Sequence, residues 1–373
     1  MEVPGLIAHE WIELHGGSEN VLEAIAALFP DADMVAPWTN APERFPNREV
    51  RQLWLSQSPL RRHKALALPA LAAAWRNAVP LDKKYDWILA SSHSFAHHIR
   101  PRGASAHAPK LVYAYTPARY VWTPELDERG SGLFARAASL ALRPIDRARA
   151  KEPQSIAVIS EYVADRARAA WRREAEVIYP PVQVTLAKSV ADWRTRLAPD
   201  ELAFVDNLPS EFVLGASRFI PYKRLDLVID AAEAAGLPAV LAGSGPEEAR
   251  LREKAAAAGV DVHFVIAPSN ALLFSLYQRA LVFVFPPIED FGIMPIEAMA
   301  LGTPVVANRI GGSAETVSDG YSGIHFDKMD AASLGAAVRR AAELSPADAA
   351  QWSEKFATER FDGELVDWVN RSI

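Results

Sequence analysis

Cysteine is absent from all 373 residues. That excludes disulfides, thiolate metal sites and a cysteine nucleophile, and it fits a reducing compartment. No apolar run approaches the roughly 20 residues that would span a bilayer. The first ten residues, Met1 to Glu10, lack a basic stretch followed by an apolar core, so no secretory signal is expected. No Ser–His–Asp or paired-acid hydrolase arrangement stands out. Neither a repeat of solenoid period nor a low-complexity tract is present. Positive charge is scarce in one half only. Residues 1–185 carry 23 Lys+Arg against 20 Asp+Glu, whereas residues 186–373 carry 17 against 26, giving −6 for the chain. A general nucleic-acid-binding surface would need a basic face, which this balance does not provide. The few basic residues of the acidic half therefore become informative.

What is there is ordinary for a globular protein: 50% hydrophobic and 23% charged residues. The length favours two domains over one core. Strand-like and helix-like segments alternate along the chain. Leu6–His9, Trp87–Ala90, Lys110–Tyr115 and Ser155–Ile159 read as strands, with helices over Ser18–Phe29, Leu133–Arg149 and Glu161–Arg173. Tyr179-Pro180-Pro181-Val182 breaks regular structure and reads as a linker. Beyond it, Phe212–Ala216, Ala239–Ala242, Val262–Ile266, Leu281–Phe285 and Pro304–Ala307 are strands separated by helical segments. This rhythm predicts α/β architecture: two doubly wound, Rossmann-like domains facing a cleft. The expected boundaries are residues 1–184 and 185–357, with a last helix over 358–373 returning to the first domain.

The stretch from Pro286 to Glu297 is the most informative. The apolar run Ala280–Phe285 before it reads as a buried parallel strand, and Pro295 suits the first position of the next helix. Glu289 then lies on a loop at the strand's carboxyl end and Glu297 in the helix's first turn, eight positions on. In open α/β sheets ligands bind at that end. Two carboxylates can accept hydrogen bonds from vicinal hydroxyls. The peptide N–H groups of Phe291, Gly292, Ile293 and Met294 suit a phosphate, favoured by the helix dipole. A sugar, a phosphate and a ribose in a row describe a nucleotide sugar. Taken singly, Glu289 is a solvated acid and Glu297 a capping-box residue; the whole pattern argues otherwise.

Other segments gain meaning beside it. His15-Gly16-Gly17-Ser18-Glu19 joins the first strand and first helix, where glycines allow close approach to a phosphate. Arg218 and Lys223 come after the first strand of the second half, and two cations there suit a diphosphate leaving group. The bland alternative pairs them with Asp226 or Glu248. Gly243-Ser244-Gly245-Pro246 fails as a dinucleotide fingerprint and reads as a turn beside the nucleotide. Gly311-Gly312-Ser313 either adds amides near the phosphates or is a structural turn. Asp31-Ala32-Asp33 has metal-acid spacing but comes after a helix and Pro30, so it reads as a solvated turn. Histidines 93, 97 and 98 have no carboxylate or cysteine at ligand spacing, so no metal is expected. Of these, only His93, at a strand end, is placed near the cleft.

Together these motifs resemble the retaining glycosyltransferases of family 4, which have the GT-B fold. The resemblance runs over nearly the whole chain. Glu289 to Glu297 matches the family's E-x7-E motif, supported by Gly16-Gly17-Ser18-Glu19, Arg218 with Lys223, Gly243-Ser-Gly-Pro and Gly302-Thr-Pro-Val-Val-Ala. The resemblance implies that Glu289, Asp290 and the amides from Phe291 to Met294 hold the donor sugar and distal phosphate. It implies that Glu297 binds ribose, Arg218 and Lys223 hold the diphosphate, and Gly16 and Gly17 close over it. Base contacts are expected from the backbone around Ile266 and Ala267. Phe361, Leu365, Val366 and Trp368 are the expected packing residues of the last helix. Tyr113–Trp122 resembles a segment of bacterial mannosyl- and rhamnosyltransferases, with Tyr115 where many relatives have histidine. A phenol is the poorer proton shuttle at neutral pH, so His93 is the alternative for that role.

The expected activity is a metal-independent, cofactor-free retaining glycosyl transfer, from GDP-mannose first among nucleotide-diphosphate donors. The acceptor would be a glycan or lipid-linked glycan of cell-surface polysaccharide synthesis. The expected location is cytoplasmic, with peripheral membrane contact through the basic, Trp-bearing stretch of residues 51–84. An ordinary surface helix is the bland reading of that stretch. A sugar phosphorylase or hydrolysing epimerase on the same scaffold, and a non-catalytic nucleotide-sugar-binding subunit, are the alternatives.

Overall fold

The computed structural model describes residues 4–14, 16–62, 64–123 and 133–373. The chain divides into two compact units, one of residues 1–181 with 359–373 and the other of residues 182–358.

The first unit is built on seven parallel strands: β1 (Gly5–His9), β2 (Asp33–Ala36), β3 (Val50–Gln52), β4 (Trp87–Ser92), β5 (Lys110–Ala114), β6 (Ser155–Val158) and β7 (Glu176–Val177). Their order is β3-β2-β1-β4-β5-β6-β7. The central strands β1, β4 and β5 are buried at every residue, as parallel strands covered on both faces must be. Sequence direction reverses between β1 and β4, and that switch point is where an open sheet leaves a crevice. The last helix, Thr358–Ser372, belongs to this unit. Its Trp368 indole donates to Ser155 Oγ at 2.8 Å, and Phe361 meets the Tyr113 ring edge-on at 5.9 Å. Phe361, Leu365 and Trp368 are buried as expected, but Val366 is half-buried and Val369 takes the inward position instead.

The second unit carries six parallel strands: β8 (Val213–Ala216), β9 (Ala239–Gly243), β10 (Val262–Ile266), β11 (Val282–Phe285), β12 (Val305–Asn308) and β13 (Gly323–Phe326). The order β10-β9-β8-β11-β12-β13 puts its switch point between β8 and β11. Helix Asp226–Ala235 lays Leu227, Val228 and Ile229 into the core with Leu241, Val284, Leu334 and Val338. Truncating one such leucine to alanine costs about 2–5 kcal/mol. Both sheets thus have the doubly wound α/β architecture expected from the alternation.

Three sequence readings need correction. Asp33 is not in a solvated turn: it opens β2, and its carboxylate accepts from Lys83 Nζ at 2.7 Å and Tyr85 Oη at 2.6 Å. Pro295 is the third residue of its helix rather than the first, because Gly292 starts the helix early and Ile293–Ala300 are helical; Glu297 falls in the second turn. Among the described residues the stretch 51–84 presents no continuous basic face, and the Lys64 side chain lies outside them. Trp75 is in the core, Arg51 donates to Ala78 O, Arg76 pairs with Glu152 and Lys83 with Asp33. Among the described residues no helix is long and apolar enough to cross a membrane.

Candidate functional site

The loops after β8 and β11 flank the switch point of the second unit. Phe219 anchors the first of them: it is fully buried, its N–H donates to Ser244 O at 2.8 Å and its carbonyl accepts from Glu247 N at 3.0 Å. The two loops it joins touch because residue 243 is glycine. A Cβ there would lie 1.8 Å from Ser217 O, at a φ of +145°. With Phe219 inward, Arg218 is exposed and donates to Tyr222 Oη at 3.3 Å. Among the described residues its guanidinium has no carboxylate partner. The 3-10 turn Pro221–Lys223 then turns Lys223 toward β11. Its ammonium pairs with Glu289 Oε1 and stands 5.1 Å from the Tyr222 ring centroid. The bland pairing expected for this loop goes to a neighbour: Arg224, in the left-handed region at φ 51°, holds Asp226 at 3.1 Å.

The second loop is held by β12 and by the Gly311-Gly312 turn beyond it. Asn308 Nδ2 donates to Pro286 O at 3.3 Å, and Gly312 N donates to Glu289 O at 2.7 Å. Gly312 permits this contact, since a Cβ there would meet Asp290 O at 2.3 Å. Asp290 and Phe291 are buried, Phe291 against Phe356 with ring centroids 5.9 Å apart. Gly292 caps the helix with no side-chain acceptor. As first-turn groups, the N–H of Ile293 and Met294 have no intrahelical partner. Glu297 lies one turn further, and burial pushes its carboxyl up to about 7. The buried Tyr277 phenol beside it is held well above its ordinary range, by burial first and by the negative charge of Glu297 second. Its hydroxyl has no hydrogen-bond partner, and neither has the buried hydroxyl of Ser313. The Ser313 Cβ is 3.5 Å from where a Gly292 Cβ would be. These two orphaned hydroxyls were not picked out from the sequence; the proximity of Ser313 to the Gly311-Gly312 pair was the only trace. Ile266, 43% exposed, ends β10. Ala267, next in the chain, lies at φ 49° and donates its N–H to Gly243 O at 3.1 Å.

In the first unit, the expected groups gather at the switch point between β1 and β4. Tyr115 is buried, and its hydroxyl is shared between Ser91 Oγ at 2.8 Å and Ser18 O at 3.1 Å. Burial holds that phenol far above its usual range, so it stays protonated. Ser91 Oγ also meets His9 Nδ1 at 2.9 Å. His9 is kept neutral by burial first and by His93 second, and its buried Nε2 has no partner. His93, half-buried, meets Trp11 edge-on at 5.1 Å and lies 6.4 Å from the Tyr115 ring. Gly16 caps the first helix and Gly17 begins it. The Glu19 carboxylate folds back over Gly16, its Oε2 2.0 Å from where a Cβ would stand, and accepts from Glu13 N at 3.2 Å. His15 lies outside the described residues. His9 and Glu10 were missed from the sequence, although His9 ends the buried strand β1 and Glu10 follows it at the edge where ligands bind in such sheets.

The loops of the second unit, but not the groups of the first, fall within a stretch that matches a known family. Residues 203–357 match the family model described as glycosyl transferases group 1. The chain is 30% identical over 152 residues to the D-rhamnosyltransferase WbpZ of Pseudomonas aeruginosa, covering 39% of this chain and 37% of that protein. It is 29% identical over 215 residues to the GDP-mannose-dependent alpha-(1-6)-phosphatidylinositol monomannoside mannosyltransferase of Mycolicibacterium smegmatis, covering 52% and 56%. Matches to such curated relatives span from 22% to 56% of their length. The fold is similar throughout to that of Anabaena Alr3699/HepE, solved in complex with UDP, with a TM-score of 0.73, 20% identity, and 98% of this chain and 100% of that one covered. The second unit's site therefore lies in a stretch, residues 203–357, that matches the glycosyl transferases group 1 model, on a chain with the two-unit α/β architecture of the GT-B fold.

Proposed function

We propose that this protein is a retaining glycosyltransferase that moves a sugar from a nucleotide-diphosphate donor, GDP-mannose first, to a glycan or lipid-linked glycan acceptor. The observation that carries the reading is the meeting of Lys223, Glu289 and the Gly292 helix start at the switch point of the second unit. Arg218 and Lys223 take the diphosphate. Glu289 and Asp290 take the sugar hydroxyls, the amides of Gly292, Ile293 and Met294 take the distal phosphate, and Glu297 takes the ribose. As the glycosidic C–O bond breaks, the two cations carry the charge that grows on the leaving phosphate. That phosphate accepts the proton of the acceptor hydroxyl on the face it leaves, so no metal or enzymic nucleophile is required and the anomeric configuration is kept. In the first unit His93 is assigned to the acceptor, because the Tyr115 hydroxyl is already held by Ser91 and Ser18. The names of the rhamnosyl- and mannosyltransferase relatives support the donor reading.

The reaction is assigned to the cytoplasm and to cell-surface polysaccharide synthesis. Among the described residues, Trp54, 59% exposed, and the exposed Arg62 are the groups offered for contact with the inner face of the membrane. Pelleting with anionic liposomes at low salt tests that contact, and no pelleting ends it.

The test of the activity is a thermal-shift screen of GDP, UDP, ADP and dTDP sugars, and then transfer assays with the stabilising donor, since a ligand that binds only the folded state raises its apparent stability. Transfer with retained anomeric configuration in the presence of a chelator is expected. Binding of a donor without transfer to any glycan acceptor would favour a binding subunit, and phosphate-dependent donor breakdown a phosphorylase.

A further inference from the structure

A second constellation lies within the first unit, and it does not depend on the donor reading. His97 and His98 sit on the 3-10 turn Ala96–His98, just after β4. Asp146 comes from the helix Leu133–Arg149, 48 positions beyond His98. All three are buried, with 1% or less of their side chains exposed. Asp146 Oδ1 stands 3.0 Å from His97 Nε2 and 2.9 Å from His98 Nε2. The other carboxylate oxygen, Oδ2, accepts from the indole N–H of Trp122 and of Trp171, each at 2.7 Å. The carboxylate is thereby fixed with one oxygen presented to two imidazoles.

The polar partners of His97 are closely set. Ser92 Oγ accepts the backbone N–H of His97 at 3.3 Å and directs its own hydrogen to Glu10 Oε1 at 3.5 Å. It is also 3.1 Å from His97 Nδ1. In the tautomer whose Nδ1 donates to Ser92 Oγ, the ring presents the lone pair of Nε2. His97 Nε2 is accordingly buried without a hydrogen-bond partner, although a carboxylate oxygen lies 3.0 Å away. In that tautomer a cation between Nε2 and Asp146 Oδ1 would be ligated by both. Lys110 Nζ sits on the carbonyls of His97 at 3.0 Å and Ile99 at 3.1 Å and is paired with Glu152 at 3.0 Å.

We infer that His97 Nε2, His98 Nε2 and Asp146 Oδ1 are ligands of a divalent transition-metal ion, zinc foremost, that braces the first unit away from its ligand-binding edge. Two imidazoles and a carboxylate are a donor set for such an ion. Ser92 on the far nitrogen of His97, and the two indoles on the far oxygen of Asp146, are the outer partners that orient metal ligands. Ligand atoms at tetrahedral zinc stand about 3.3 Å apart, so the site opens by a few tenths of an ångström on binding, and a water completes the fourth position. The ion would tie the turn after β4 to the helix that carries Asp146.

The test uses the full chain, purified without chelator, by elemental analysis, then stripped and refilled with zinc or cobalt(II) alone. About one equivalent of metal per chain is expected. A lower melting temperature after stripping, restored by zinc, and a tetrahedral cobalt absorption spectrum should accompany it. His97→Gln removes a ligand whose Nε2 makes no hydrogen bond, so it should fold, melt near the stripped protein and fail to respond to zinc. Asp146→Asn should lose the metal too, though its folding is less secure because Oδ2 holds two indoles. A stripped wild type with an unchanged melting temperature and no cobalt spectrum would overturn the inference. Undiminished, zinc-responsive binding by a folded His97→Gln protein would do the same, leaving Asp146 as a purely hydrogen-bonded hub.

Discussion

Lys223 and Glu289, 66 positions apart in the chain, form a part-buried ion pair that bridges the loops on either side of the second unit's switch point. Their side chains are 12% and 18% exposed. That places the pair between a surface bridge, worth about 0–1 kcal/mol, and a buried one whose desolvation offsets most of its attraction. Its main consequence is orientation: each charge is held in place by the other, and the proposed function gives the first to a diphosphate and the second to a sugar.

Lys223→Ala should therefore cripple turnover more than it unfolds the protein. Loss of one donor that stabilises developing charge costs roughly 10²–10³ in rate. The check is kcat at saturating donor alongside a thermal melt. Near-normal kcat would remove Lys223 from the mechanism, and collapse of the fold would mean that Glu289 cannot stay buried without it. Lys223→Arg should keep the fold and recover part of the rate, since charge is kept but the point geometry is not.

Glu297 gives a pH signature to donor binding. Burial raises its carboxyl to about 7, so below that pH the free protein holds it protonated. An ionised carboxylate accepts two hydroxyls more readily than an acid does. Nucleotide affinity measured by calorimetry should rise as pH increases through about 7, and Glu297→Gln should bind more weakly at pH 8 with that step gone. An identical step in the variant would assign it to another group.

Nine of the thirteen described strands were legible, because parallel strands buried on both faces read as continuous apolar runs, as Val282–Phe285 does, whereas β2, β3, β7 and β13 were not read. β2 was hidden because Asp33 looks like turn chemistry. Its charge is satisfied by Lys83 and Tyr85 from a segment fifty residues on, which no local pattern announces. The same holds for the site. The glutamates at 289 and 297 were readable from spacing and from the strand before them. That Lys223 would choose Glu289, with Arg224 taking Asp226, depends on the left-handed turn at Arg224 and on the packing of Phe219. Histidines 97 and 98 likewise seemed to lack a carboxylate until the fold supplied Asp146.

Glu10 should make the first unit more stable in mild acid than in base. The carboxyl is fully buried, and its Oε1 accepts from Ser94 N at 3.0 Å and Ala96 N at 2.6 Å, while Oε2 has no partner. Burial outweighs those bonds and raises it to about 7. A carboxyl whose folded-state value exceeds its unfolded one binds its proton more tightly when folded. Its contribution is complete below the ordinary carboxyl range and is lost as pH rises from there to about 7. Glu10→Gln keeps the acceptor for both amides and removes the charge, so it should gain on the order of 3 kcal/mol relative to wild type at pH 8 and almost none at pH 4. Denaturant melts at the two pH values check this, and parallel pH profiles for the two proteins would refute it.

Two glycines separate space from backbone freedom. Gly312 has an ordinary φ of −64°, so alanine there would suffer no backbone strain. Its Cβ would instead meet Asp290 O at 2.3 Å and Phe291 Cα at 2.5 Å, which is backbone and cannot yield cheaply. Gly312→Ala should push the 289–292 loop off its support, lowering stability by about 1–3 kcal/mol and weakening donor binding at least as much as Glu297→Gln does. Gly363, exposed inside the helix Thr358–Ser372, has nothing within 4 Å of a Cβ. Gly363→Ala should raise stability by about 0.5–1 kcal/mol and leave donor binding unchanged. Melting and nucleotide titration of the two variants side by side decide the matter: equal donor affinity in both would mean that the Glu289 loop does not need its contact with Gly312.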